Sequence, residues 1–202
     1  MRRLTSLVLA TSLLVGLLAV PATAQEEPAD ITSTVVGSRS FDILEALVIE
    51  AGLAGALSAD DPLELGDVTV FAPTDRAFRS LVFEYLRSNG TRWWSAYKTA
   101  FRSSEAAIAD TIISVAGDNL GAVLLYHVSN ELGAVPASVA VTVKDLDLAT
   151  LNGATVEVDG FRDRYVRLTD EVGRRSWVVK TDIEASNGII HAINRVILPF
   201  GL

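Results

Sequence analysis

Hydrophobic residues along this chain follow two periods, and the change between them predicts a helical first half and a stranded second half. After Ser40, the residues Phe41, Leu44, Leu47 and Val48 recur at helical spacing, with Ser40 placed to cap the helix and Gly52 or Gly55 to interrupt it. Val68-Thr69-Val70-Phe71 is a short β-rich run that Pro73 ends. Thr74 then reads as an N-cap, Asp75 lies favourably near the positive end of the helix dipole, and Phe78, Leu81 and Tyr85 share one face. Residues 88–117 read as interrupted helix, with Asn89-Gly90 as a break and Ser103-Ser104 as a second capping point. A further helix from Asp118 would bury Leu120, Val123 and Leu124.

Beyond that point the pattern is stranded. Leu146 to Leu151 and Ala154 to Val158 flank Asn152-Gly153, a dipeptide suited to the two positive φ angles of a tight hairpin turn. Tyr165 to Thr169 and Ser176 to Lys180 flank a polar turn with Gly173 and are expected to pair. Gly188 to Leu198 is apolar on both faces, as a strand covered on both sides would be. Helices before strands is the segregated order of an α+β domain, and the chain shows no internal repeat.

The ends add an address. Arg2 and Arg3, the apolar stretch Leu7–Val20 and Pro21-Ala22-Thr23-Ala24 have the layout of a secretory signal peptide at residues 1–24, with cleavage expected after Ala24. That apolar stretch is shorter than a bilayer span requires, so no transmembrane anchor is expected after cleavage; an uncleaved tether is the alternative. Residues 25–38 are polar and read as a flexible lead-in, leaving 39–202 as a single domain. The expected location is secreted, periplasmic or cell-surface.

Charge and composition narrow the chemistry. The chain carries a net charge of −8, and loss of a leader with two arginines and no acids makes the remainder more acidic, so nucleic acid is not an expected partner. With no cysteine, disulfides, thiolate zinc sites and cysteine nucleophiles are excluded together.

Three segments stand out in order: Thr69-Val70-Phe71-Ala72-Pro73-Thr74-Asp75-Arg76-Ala77-Phe78, then Leu124-Leu125-Tyr126-His127-Val128, then Asn187-Gly188-Ile189-Ile190-His191-Ala192-Ile193-Asn194-Arg195-Val196-Ile197-Leu198-Pro199. Together they resemble the first conserved block, the Tyr-His motif and the second conserved block of the fasciclin (FAS1) domain family. The resemblance covers about residues 35–199 and implies a β-sandwich wedge with helices packed at one side. Asn194 departs from the aspartate common at its position, and the helical segment at about 84–117 is longer than usual. Phe71, Pro73, Thr74, Asp75, Phe78, Asn187, Gly188 and His191 are read as structural members of these motifs. Pro73 and Thr74 would turn the strand into the helix, and Gly188 would turn the chain into the last strand.

The resemblance also implies where partners could bind. Animal matrix members of the family are linked to integrin-mediated adhesion through an Asp-Ile pair and the Tyr-His motif. The matching residues are Asp182-Ile183 and Tyr126-His127, although strand termination and core packing explain the first pair equally well. Trp93, Tyr97 and Phe101 fall at i, i+4 and i+8 with Trp94 alongside, which gives either the packing face of an added helix or an exposed aromatic platform for a protein, glycan or apolar ligand. Asn89-Gly90-Thr91 matches a glycosylation sequon.

Reactive chemistry finds no comparable signal. The two histidines, His127 and His191, lie in apolar runs where neutral rings satisfy buried backbone groups, and no spacing supports zinc ligation together with Asp182. No serine lies in a nucleophile elbow, and Asp60-Asp61 and Asp145/Asp147 read as solvated charge. No catalytic residue, metal or cofactor is expected. The expected function is adhesion, or interaction with a protein or glycan at the cell surface or matrix. The first alternative is a carrier of a carotenoid- or lipid-like ligand, since some members of the family bind carotenoids; a secreted hydrolase is the weaker one.

Overall fold

A computed structural model describes residues 28–58, 65–162 and 164–201 of the chain. The expected leader and Asp60-Asp61 lie outside the described residues. Seven helices are described: α1 Ile31–Val36, α2 Asp42–Glu50, α3 Asp75–Ser88, α4 Trp93–Arg102, α5 Glu105–Ala116, α6 Leu120–Leu125 and α7 Ala137–Ala140. The strands are β1 Val68–Pro73, β2 Val128–Ser129, β3 Leu146–Ala149, β4 Thr155–Phe161, β5 Tyr165–Thr169, β6 Arg175–Ala185 and β7 Gly188–Ile193.

The strands run in the order β2-β1-β7-β6-β5-β4-β3, one continuous ribbon that bends into the expected wedge. Its bend lies in β6. The start of that strand pairs with β5 and its remainder with β7, and the register shifts twice between Val178 and Ile183. Such irregularity sharpens local twist and lets one sheet form two leaves. Phe71 of β1 and Ile193 of β7 therefore share a core with Leu148, Val158, Val166 and Leu168 from the other leaf. On the opposite face, Val68, Val70, Ala72, Ile190 and Ala192 pack under the helices with Leu47, Phe78 and Ile108. β1 and β7 are thus covered on both sides, as the apolar run from Gly188 predicts.

Several local expectations change. The final strand stops at Ile193, not Leu198, although Val196, Ile197 and Leu198 remain buried. The β3–β4 hairpin turns through Leu151-Asn152-Gly153, closed by Thr150 N–H donating to the Ala154 carbonyl, and in that loop only Gly153 has positive φ. A three-residue loop ending in a left-handed glycine replaces the expected two-residue turn. Ser40 does not cap α2. The Asp75 carboxylate does so from the start of α3, accepting from Ile43 N–H at 2.9 Å, while Asp75 N–H donates to the Ser40 carbonyl. Thr74 and Ser104 cap α3 and α5 as expected.

The lead-in also needs correction. Within residues 25–38, the segment Ile31–Val36 forms α1 and buries Ile31 and Val35. Asn187 holds it: its Oδ1 accepts from Ile31 N–H at 3.0 Å, and its Nδ2 donates to the Leu57 carbonyl at 3.0 Å. A polar stretch with two well-placed apolar residues was enough to dock.

Candidate functional site

The Tyr-His motif lies at the end of α6, where the chain turns into β2. Tyr126 is fully buried; its hydroxyl donates to the Thr155 carbonyl at 2.6 Å and accepts from Glu171 N–H at 3.2 Å. Burial pushes the phenol up to about 12, despite the Glu171 amide that favours its ionised form. His127 Nδ1–H donates to the Val123 carbonyl at 2.7 Å, and Nε2 accepts from Ile197 N–H at 3.2 Å. Both ring nitrogens serve the backbone, and burial lowers the imidazole to about 4. Tyr126 and His127, anticipated as candidate partner contacts, lie in the interior and tie the two leaves to the C-terminal segment. The reason is geometric: α6 buries Leu120, Val123 and Leu124 in the core under the helices, and Tyr126, at its C-cap, enters the core between the leaves.

Asp182 and Ile183 diverge. Asp182 has φ +54 at the irregular part of β6, which continues past it, so the pair does not end the strand. A left-handed aspartate is tolerated better than most side chains there. Its carboxylate accepts from Ala137 N–H at 2.8 Å, at the start of α7. Ile183 instead packs against the core beneath the helices.

His191 shares this task. Its Nε2–H donates to the Val135 carbonyl at 2.8 Å, and its Nδ1 accepts from Asp182 N–H at 3.3 Å. Burial lowers its pKa, against the opposing pulls of the Val135 carbonyl and the Asp182 charge. Thr69, buried in β1, donates to the Gly133 carbonyl at 2.6 Å and accepts from Val135 N–H at 2.9 Å. Three polar side chains therefore pin a strap over residues 133–137. Beside it lies an apolar cavity of about 330 Å³, lined by Phe71, Val143, Leu148, Val158 and Val178, with exposed Leu132 and Val139 at its edge.

α4 presents the opposite arrangement. Ala96 and Ala100 are its fully buried residues, and small side chains let it lie close on α3. Arg79 of α3 fastens its end by donating to the carbonyls of Ala100 at 3.1 Å and Ser103 at 2.8 Å while pairing with Glu105. Phe83 of α3 meets Trp93 edge-on and Phe101 at a tilt. Tyr97 and Phe101 are half-buried, whereas Trp93 and Trp94 retain 53% and 51% of their surface. The aromatic row thus grades from packing into an exposed platform, combining both sequence-based alternatives. Asn89, of the sequon, is exposed, and its side-chain amide donates to the Tyr85 carbonyl.

The remaining motif residues are scaffold. Phe71 and Phe78 are buried, Pro73 closes β1, and the Gly188 backbone passes so near β1 that a Cβ there would lie 2.1 Å from the Val68 carbonyl oxygen. Asn194 accepts from Trp177 N–H at 2.9 Å, a role in which its amide oxygen serves as a carboxylate would. Sequence reasoning missed Asp170, a buried carboxylate accepting from Val172, Arg174 and Leu198 N–H groups. Its signal was the Asp-to-Gly173 spacing, which suits a turn that opens on Asp and closes on Gly. Thr69 was legible as a polar residue inside an apolar run. Among the described residues, no three His, Asp or Glu side chains converge as a metal site.

Comparison with known proteins adds a family to this geometry. A family model for the fasciclin domain matches residues 39–199. Protein sll1483 of Synechocystis sp. is 29% identical over 181 residues, covering 89% of this chain and 79% of that protein. The Sus scrofa transforming growth factor-beta-induced protein ig-h3 is 28% identical over 169 residues, covering 84% of this chain but 19% of that much longer protein. A solved FAS1 domain pair of the insect cell adhesion molecule fasciclin I superposes with a TM-score of 0.60 at 16% identity, covering 85% of this chain and 51% of that one, so it speaks for the fold alone. With its conserved blocks serving as scaffold and most of its length matched, the chain belongs to the fasciclin domain family.

Proposed function

We propose that this protein is an exported, non-catalytic adhesion-type module that meets a component of the cell surface or matrix through the aromatic face of α4. The observation that carries this reading is the half-exposure of Trp93 and Trp94 in a fold whose motif aromatics are buried. Exposed clustered aromatics mark interaction surfaces more often than isolated apolar residues do. The fold shared with the insect cell adhesion molecule fasciclin I supports the class of function, and the use of both histidines on backbone groups supports a role without general acid–base chemistry.

Beads coated with the protein should adhere to cells of its native host, and Trp93→Ala/Trp94→Ala should reduce that adhesion at least tenfold while the protein still unfolds in one cooperative transition above the assay temperature. Adhesion unchanged by the double substitution would remove α4 from the contact.

The cavity beneath the strap supports one second reading, carriage of a small apolar ligand, since about 330 Å³ with mostly apolar walls lies within the range of small-molecule sites. Saturable uptake of a fluorescent fatty-acid analogue, blocked by Val178→Trp, is its expected signature. Uptake indifferent to that substitution would count against the cavity.

A further inference from the structure

α4 lies in a stretch whose charge opposes that of the whole chain. Between Tyr85 and Ser104 stand Arg87, Arg92, Lys98 and Arg102 with no aspartate or glutamate, in a protein of net charge −8. All four are exposed, and among the described residues none joins an ion pair. Arg87 is committed in part, donating to the Thr91 carbonyl at 2.7 Å. On the helix, Trp94, Lys98 and Arg102 fall at i, i+4 and i+8 and form a ridge beside that of Trp93, Tyr97 and Phe101. An aromatic row and a cationic row therefore run side by side.

Ring orientation limits what this face can bind. Trp93 and Tyr97 are nearly parallel, 9° apart with centroids at 5.4 Å; Trp94 and Tyr97 lie 14° apart at 5.7 Å. Lys98 Nζ sits 5.7 Å from the Trp94 centroid. A pyranose stacks on an open ring face, and here the rings overlap in part while the ammonium lies over Trp94, which leaves less open face than a lone indole would offer. Half-exposed indoles flanked by unpaired cations suit a lipid–water boundary, where aromatic rings settle at headgroup level and long cationic side chains reach phosphate.

We propose that α4 docks this protein on an anionic lipid bilayer, with Trp93 and Trp94 entering the headgroup layer and Arg92, Lys98 and Arg102 pairing with lipid phosphates. The inference rests on the reading that α4 is the contact face and names what it meets. Charge complementarity selects the occupant: each cation near an anionic membrane strengthens binding roughly fivefold, whereas the rest of this acidic chain is repelled.

The test uses Trp177→Phe protein, in which Trp93 and Trp94 are the remaining indoles, mixed with phosphatidylcholine vesicles with or without phosphatidylglycerol. Partitioning should be roughly tenfold stronger on the anionic vesicles, with a blue-shifted emission quenched by brominated lipid and a loss of binding at high salt. Lys98→Glu/Arg102→Glu should abolish the preference. Tyr165→Ala, in the separate cluster of Phe161, Tyr165 and Trp177, should leave it intact.

Equal partitioning to both vesicles, or emission untouched by brominated lipid, would overturn the proposal. Binding of a soluble polyuronate by α4 without vesicle binding would assign the face to an acidic glycan. A dimer that dissociates on Trp94→Ala, again without vesicle binding, would assign it to a second copy. If bead adhesion still depends on α4 while vesicle binding is absent, the bilayer proposal alone falls. Should vesicle binding hold while adhesion ignores α4, the adhesion reading falls instead.

Discussion

Two regions of this protein are rich in aromatic rings and polar tips, and they use them in opposite ways. Around Tyr126 and His127 the polar atoms bond to backbone groups and the rings are enclosed. On α4 the rings stack on one another and half their surface meets water. The residues that identify the family are those that hold the frame, whereas the exposed surface lies in the longer segment outside the motifs. Family recognisability and exposed aromatic surface are separate properties here.

The frame is most sensitive at Gly188. Gly188→Val should destabilise the domain by about 3 kcal/mol or more, because a side chain collides with the β1 backbone rather than with a movable group. Chemical denaturation measures this, and a loss below about 1 kcal/mol would show that β1 and β7 can separate without cost.

Next comes acid. His127 is neutral in the folded protein to about pH 4 and titrates near 6.5 when unfolded, so the unfolded chain binds the extra proton between those values. Its contribution is complete above pH 6.5 and should fall by roughly 3 kcal/mol as pH drops toward 4. Asp75, raised by burial, works in the reverse direction near its own pKa, through uptake of a proton by the folded form. Denaturation curves at successive pH values should lose about one proton of slope in His127→Gln. An unchanged slope would place the acid response elsewhere.

A smaller effect separates the strap from both regions. Asp182→Ala removes the cap on α7 and should cost about 1 kcal/mol, with faster amide exchange at Ala137 and its neighbours. Exchange that stays slow would mean that Thr69 and His191 suffice to hold residues 133–137. The smallest expected change is on α4, where Trp94→Ala should alter stability by within about 0.5 kcal/mol, as measured by the same denaturation. A larger loss would make that indole packing rather than contact surface.

Much of the frame was legible because period and punctuation agree. Thr74, Ser104 and the pairing about Gly173 follow from local chemistry, and the covered strand from Gly188 follows from its lack of a polar face. What escaped depends on partners distant in sequence. Ser40 looked like a cap, but Asp75, 32 residues beyond Ile43, does the work, and Asn187 docks α1 across 156 residues. Pattern alone cannot separate a buried Tyr126 from a half-exposed Trp93, since each is an aromatic beside apolar neighbours. Only the choice between Ala96 and Ala100 or the larger rings as the packing edge decides it.

The division of β6 between two neighbours has a thermodynamic consequence. Its first residues complete one leaf and its last residues the other, so melting either leaf strips hydrogen bonds from the strand that the other requires. Neither leaf can persist as an independent folding unit. The domain should therefore respond to heat or load as one cooperative body.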